Sequence, residues 1–542
     1  MIPYRLITAV ALGGAYLLSS GRIPQWTPFG FLPTFVALWA VQSLAYAFWA
    51  VILYPKFFSP LRGLPEPSGN SWFMGQFGKI RASPTGVPML EWINSVPNDG
   101  LIRYLSLFNQ EKLFMTSPKA LAEVLVTKSY DFVRPGPVRF VLGRILGDSL
   151  LIAEGDVHKM QRRNLLPAFA FRHIKDLYPV FWTKAREGVQ AMTEEILKGA
   201  ALNGQPGGRS AVIEASSWAS RITLDIIGVA GLGRDFNAIK DPGNPLTEAY
   251  ARLFKPSRQA RTLQLLGLIT HPRLVALLPV KRNGDIDASA HHIRAVCADI
   301  IQEKKQKLAE KERTDVDILS LMTFLAAGHE TTASSMTWAT YLLAKHPEVQ
   351  RRLRAEVREH LPPPSGADDA ASSISSVDID KMPYLNAVCN EVLRYYGPVP
   401  LTPRVAARDT TILGQRVPKG TQVVLVPWAI NKSEAMWGAD ALVFNPDRWM
   451  PGPDDADRRA AASGGATSNY AFMTFLHGPR SCIGMSFAKA EFACLLASWI
   501  GRFEVELHNK EELDESRIEI KGGVTARPAH GMYVKATVVE GW

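Results

Sequence analysis

Between Phe475 and Gly484 the chain reads FLHGPRSCIG, a cysteine framed by a phenylalanine, an arginine and two glycines in the order FxxGxRxCxG. With each fixed residue taken at roughly one in twenty, that order arises by chance on the order of once in several thousand chains of this size. Cys482 can be a packed apolar side chain, half of a disulfide, or a thiolate that ligates. Four cysteines in 542 residues build no disulfide framework, and no CxxC or Cys/His spacing suited to zinc accompanies them. Cys297, Cys389 and Cys494 sit in apolar helical runs and read as small buried hydrophobes. Cys482 differs because its loop runs into a helical stretch from Ile483 to Trp499. Free backbone N–H groups and the positive end of that helix are then aimed at the sulfur and favour its thiolate.

Two further patterns carry chemistry. Phe324 to Thr332 reads FLAAGHETT, which places an acid and a hydroxyl, Glu330 and Thr331, beside Ala327 and Gly328 within a helical run. A mid-helix glycine costs stability unless something must approach closely, and neither polar side chain helps a helix interior. Glu391-Val-Leu-Arg394 sets opposite charges at i and i+3 on one helix face. Taken alone this is ordinary surface decoration, but Pro400-Leu-Thr-Pro-Arg404 and Phe444-Asn-Pro-Asp-Arg448-Trp449 follow it.

The elements that must position these groups are mostly helical. Long apolar periodicity predicts helices at Lys119 to Thr127, Asp176 to Lys198 (with Val189, Met192 and Ile196 on one face), Ala211 to Ala230 and Ile286 to Glu312. Short alternating runs at Leu101 to Phe108, Lys112 to Thr116 and Thr421 to Pro427, and again after Phe503, predict a minor β portion. Pro362 to Ser376 and Pro451 to Ser468 are low-complexity surface spacers. No internal repeat is present. From Trp26 to Pro55 there is no charged residue, and residues 34–54 suffice to cross a bilayer as a helix. A shorter apolar run, about 6–19, is a second helix, a re-entrant piece or a signal-like region. Lys56, Arg62, Lys79 and Arg81 follow the anchor and put the bulk of the chain on the cytosolic side, with the N-terminus on either side. The division expected is therefore 1–55 anchor, 56–70 proline-rich hinge, and 71–542 one catalytic domain. A formal charge of +10 with scattered Lys and Arg and no nucleic-acid motif points to membrane proximity or a docking partner, with no nucleic acid.

The order of these motifs over roughly residues 60 to 540 resembles the cytochrome P450 family, most closely its membrane-bound fungal members. The resemblance implies the P450 fold and a haem b whose iron is ligated by Cys482. Phe475 shields the ligated side, Gly478 turns the loop, Gly484 clears space for the macrocycle, and Arg480 and Arg404 reach the haem propionates. Across the haem, Ala327 and Gly328 open a groove for dioxygen, Thr331 hydrogen-bonds the bound oxygen, and Glu330 relays protons. Glu391, Arg394 and Arg448 form a buried structural triad. In Gly155 to Arg163, Arg162 corresponds to a propionate donor and His158 stands where many relatives carry Trp; a solvated helix face is the plain alternative. Leu401 and Thr402, together with Val524 and Thr525 at the tip of a C-terminal hairpin, would border the substrate. The segment from Arg313 to Leu321 is shorter than in relatives, either genuinely or through a gene-model deletion.

A cysteinate pushes electron density onto iron and favours O–O cleavage. The resemblance thus implies a monooxygenase that takes O2, and electrons from NADPH through a cytochrome P450 reductase, with cytochrome b5 as a second possible donor. That reductase would dock on the cysteine side, assisted by Lys489. The substrate expected is a lipophilic small molecule, in a fungus a secondary metabolite, handled at the endoplasmic reticulum membrane. Competing readings are a haem-thiolate isomerase or dehydratase without reductase, a housekeeping fatty acid or sterol hydroxylase, and a non-catalytic haem protein. The Glu330-Thr331 pair favours the monooxygenase.

Overall fold

The uncharged N-terminal stretch forms a helix over Phe31–Phe58, whose last ten residues, Trp49–Phe58, widen into π-helical turns around Pro55. At about 1.5 Å per residue its 28 residues exceed a bilayer's apolar thickness of roughly 30 Å. Tyr4–Ser19, at 16 residues, is shorter than such a span. It packs beside the longer helix through Ile7, Ala11 and Ala15, and the Trp39 indole donates to Thr8 Oγ1 at 3.2 Å. The computed structural model describes the chain apart from residues 1–3, 21–29, 203–207, 255–256, 309–317, 364–372, 452–462 and 522–523. The short segment before Leu321, and much of both low-complexity spacers, lie outside the described residues.

Residues 56–70, expected to hinge, are strapped to the body. Prolines remove N–H donors but keep their carbonyls, and the body supplies donors to them. Gln415 Nε2 donates to the Pro60 carbonyl at 2.7 Å and the Arg103 backbone N–H donates to that of Pro65 at 2.9 Å. Buried Arg103 also donates from Nη2 to the Pro55 carbonyl at 2.6 Å and from Nε to Glu111 at 2.8 Å.

The strap lies along a five-stranded sheet ordered Leu101–Leu105, Glu111–Met115, Gln422–Leu425, Thr402–Ala406, Phe132–Val133. Only the second and third of these run parallel, with Leu113 opposite Val423. A three-stranded sheet sets Tyr533–Val538 between Ser210–Glu214 and Phe503–Leu507. Here the helix expected from Ala211 is corrected: its first residues alternate as a strand, and the helix begins only at Ala215, capped by Glu214, which accepts from the Ser216 N–H at 3.1 Å.

Helix Ile318–Lys345 runs through the interior, packed on Ala215–Ile226 and on Met485–Arg502. Trp182, Trp338, Tyr341 and Trp499 are fully buried in this core. A lysine is buried beside aromatic rings of the same core. Lys432 Nζ lies 4.1, 4.6 and 4.5 Å from the ring centres of Tyr395, Tyr396 and Trp428, and burial pushes its pKa down to about 7.

Candidate active site around Cys482

The cysteine loop is shaped before any ligand is considered. Leu476 and Gly478 both take left-handed backbone angles, φ 55° and 73°. A Cβ on Gly478 would stand 2.2 Å from the Leu125 carbonyl oxygen, so that neighbour excludes every other residue there. The Cys482 N–H closes the loop on the Phe475 carbonyl at 2.8 Å. Of the four cysteines Cys482 alone is exposed. Crowding by the chain raises its thiol pKa, opposed by the Gly484 backbone N–H and the positive charge of Arg162. The other three thiols are raised by burial, that of Cys297 to about 12.

Two assignments around the loop change. Arg162 donates to the Ser481 carbonyl at 2.7 Å and its Oγ at 3.1 Å, so it braces the cysteine loop, with three of its five N–H donors left over. Lys489 turns inward, donating to Asn390 at 3.0 Å beneath the rings of Phe472 and Phe475, which removes it from a docking surface.

Phe169 joins the loop to the long helix: it lies 3.7 Å from where a Cβ on Gly484 would be, and its ring is centred 5.2 Å from that of Phe324. Space therefore remains beside Gly484. On Ile318–Lys345 the face carrying Phe324, Ala327, Gly328 and Thr331 keeps its accessibility while its neighbours are buried. Thr331 Oγ1 donates to the Ala327 carbonyl at 2.7 Å, leaving its lone pairs available. A Cβ on Gly328 would meet the tip of the Ile227 side chain at 2.9 Å, so the helix is packed closely on that side as well. One turn on, Thr332 donates to Glu491 at 2.9 Å and ties this helix to Met485–Arg502.

Glu330 and Thr525 are the larger corrections. Glu330 is buried, ion-paired to Arg527 at 2.7 Å, and accepts from Thr525 Oγ1 at 2.9 Å. The acid is therefore engaged in the resting fold, and Thr525 is buried with it while Val524 is exposed. Leu401 is half-buried and packs against the core; Thr402 is buried and accepts from Arg404 Nη1 at 2.7 Å.

Arg480, Arg404, Arg134 and His158 converge from four separate segments. Arg480 pairs with Glu154 and donates to the Ala153 carbonyl at 3.2 Å. His158 is buried with Nδ1 3.1 Å from the Tyr130 hydroxyl. Burial and then the surrounding arginines push His158 down to about 4, Arg404 to about 9 and Arg134 to about 10. Among the described residues only Glu154 offsets this charge, and Arg134 Nε, Arg404 Nη2 and Arg480 Nε are buried donors without an acceptor there. Orphaned cationic donors at one spot fit a dianionic ligand, as the two propionates of a haem would be. Arg134, Tyr130 and Glu154 were not singled out from the sequence: they are dispersed single residues, although Glu154 directly precedes Gly155.

Glu391 and Arg394 are both fully buried and joined twice, at 2.7 and 2.8 Å. Arg394 also donates to the carbonyls of Asn431, Ala441 and Val443 at 2.7 to 2.8 Å. Glu391 accepts in addition from Arg448 at 3.3 Å, the Trp449 indole at 2.9 Å and the Asn445 N–H at 2.8 Å. Every oxygen and nitrogen of the pair is thereby occupied.

Residues 65–533 match the family model described as Cytochrome P450. The chain is 45% identical over 530 residues to the cytochrome P450 monooxygenase sphH of Aspergillus fumigatus, covering 94% of each protein. It is 43% identical over 559 residues to FUM15 of Gibberella moniliformis (92% of this chain, 93% of that one). With ALT8 of Alternaria alternata it shares 41% over 554 residues (91% and 92%). Both carry the same description, cytochrome P450 monooxygenase.

Proposed function

Given that the chain belongs to the cytochrome P450 family and is an oxidoreductase of its monooxygenase type, we propose that it inserts one atom of O2 into a lipophilic small molecule of fungal secondary metabolism. Electrons would come from an NADPH-dependent reductase. The observation that carries this reading is the pairing of an exposed Cys482 with an accessible Thr331 hydroxyl, on elements bridged by Phe169. Bound haem would supply oxygen activation through its cysteinate-ligated iron.

The chain's own groups divide the remaining work. Cys482 would ligate as thiolate, with the Gly484 N–H and Arg162 spreading its charge. Arg134, Arg404 and Arg480 would hold the propionates with the donors that lack acceptors. Thr331 Oγ would accept or donate a proton by rotating off the Ala327 carbonyl. Glu330 would act on protons only after release by Arg527 and Thr525. The helix Phe31–Phe58 supports anchoring in the endoplasmic reticulum membrane with residues beyond it in the cytosol.

Co-expression with a reductase in microsomes, with product profiling under 18O2 against an empty vector, tests the proposal. A product carrying one 18O and requiring NADPH is expected. A rearranged or dehydrated product formed without NADPH would establish the isomerase or dehydratase reading instead.

A further inference from the structure

Where the apolar helix meets the folded body, a cavity of about 330 Å³ opens between Lys56, Arg62, Glu66, Trp72, Arg103 and Asn109. It has no part in the site around Cys482. Two of its cations, Lys56 and Arg62, are exposed and make no ion pair among the described residues; there the Arg62 guanidinium donates only to the Phe57 carbonyl, at 2.9 Å. The third, Arg103, is neutralised by Glu66 and Glu111. Asn109 is almost wholly buried in the wall, and its Nδ2 is committed to the Val51 and Trp72 carbonyls, both at 2.9 Å. Its Oδ1, closed off from the cavity, receives no hydrogen bond among the described residues. Holding Asn109 there requires two successive left-handed residues, Phe108 at φ 57° and Asn109 at φ 50°, a conformation that costs free energy unless something fixes it. Around the opening Phe57, Phe58 and Trp72 are exposed, as aromatic side chains are at the level of lipid headgroups.

We propose that this cavity binds a membrane phosphoglyceride by its headgroup. The phosphate lies on Lys56 and Arg62, and a hydrogen-bond-donating substituent such as ethanolamine meets the Glu66 carboxylate. Choline carries the same phosphate but no N–H donor, so the chemistry of the wall selects against it. The volume suits a headgroup, and basic pockets beside membrane helices on the cytosolic face are where such headgroups bind. The inference rests on Phe31–Phe58 being the membrane anchor.

The test uses the full-length protein in maltoside micelles, titrated with dihexanoyl phosphatidylethanolamine, dihexanoyl phosphatidylcholine or inorganic phosphate, with occupancy read by native mass spectrometry. Ethanolamine lipid is expected to bind about tenfold more tightly than choline lipid, and the Lys56→Gln/Arg62→Gln variant to lose about tenfold of that affinity. Equal binding of both lipids, or no loss in the variant, overturns the proposal. Phosphate competing as strongly as the lipid overturns the lipid source and leaves a phosphate site. Carbonate extraction of microsomes runs alongside: protein that resists extraction but fails the titration sinks the headgroup site alone, whereas extractable protein sinks the anchor reading.

Discussion

Arg527 grips Glu330 twice, its Nη2 lying 2.7 Å from Oε2 and 3.0 Å from the backbone carbonyl of the same residue. A carboxylate beside the distal hydroxyl is thereby fastened to the C-terminal hairpin. Replacing Arg527 by Gln leaves a buried acid with the Thr525 hydroxyl at 2.9 Å and His329 Nε2 at 4.0 Å from its oxygens. Loss of about 2 kcal/mol is expected, below the full cost of breaking a buried pair because Arg527 is partly exposed. Thermal unfolding measures the loss.

Cys482→Ala should abolish the thiolate-type carbon monoxide difference spectrum. Survival of that spectrum would exclude Cys482 as the ligand.

Thr331→Ala should keep haem while the ratio of product to NADPH consumed falls by about tenfold or more and peroxide rises. Thr331→Ser keeps the hydroxyl and should recover most of the coupling. Unchanged coupling in the alanine variant would remove Thr331 from proton handling.

Glu391→Gln strands the Arg394 charge, and Arg394→Leu leaves Glu391 with Arg448 at 3.3 Å as its one remaining cation among the described residues, in a site with no solvent access. Removal of one partner of such a pair costs about 3 to 5 kcal/mol. Both variants should fold poorly and retain little haem, as scored by the ratio of haem absorbance to protein.

Lys432 titrates near 7 in the folded chain against 10.5 unfolded. Between those values the unfolded chain holds a proton that the folded chain does not, so this lysine makes stability rise with pH from about 7 upward. Lys432→Met should flatten that rise, which denaturant titrations at pH 7 and 9 would detect.

Local signals carried the parts of the site that lie close together in sequence. Glu391 and Arg394 sit three residues apart, and helical geometry alone brings them onto one face. The cysteine loop was legible because its glycine and arginine are written within ten residues. Arg134, Glu154 and Tyr130 were not, because only tertiary packing assembles them beside Arg480. Thr525 was placed in the substrate cavity from its position at a hairpin tip, yet its hydroxyl finds a buried acid from a helix almost two hundred residues earlier, at 2.9 Å. The strand at Ser210–Glu214 was misread for a similar reason: its apolar residues suit either period, and Tyr533–Val538 decided the outcome.

The bonds from Asn109 to Val51 and from Arg103 to Pro55 place the end of the apolar N-terminal helix within the folded unit. A soluble version cut at the usual sequence landmark, just past the apolar stretch, would strip an acceptor from each of two almost fully buried side chains. Solubility gained there would come with a frayed first sheet. A cut ahead of Val51, with Phe57 and Phe58 replaced by polar residues, keeps both bonds and removes exposed apolar surface instead.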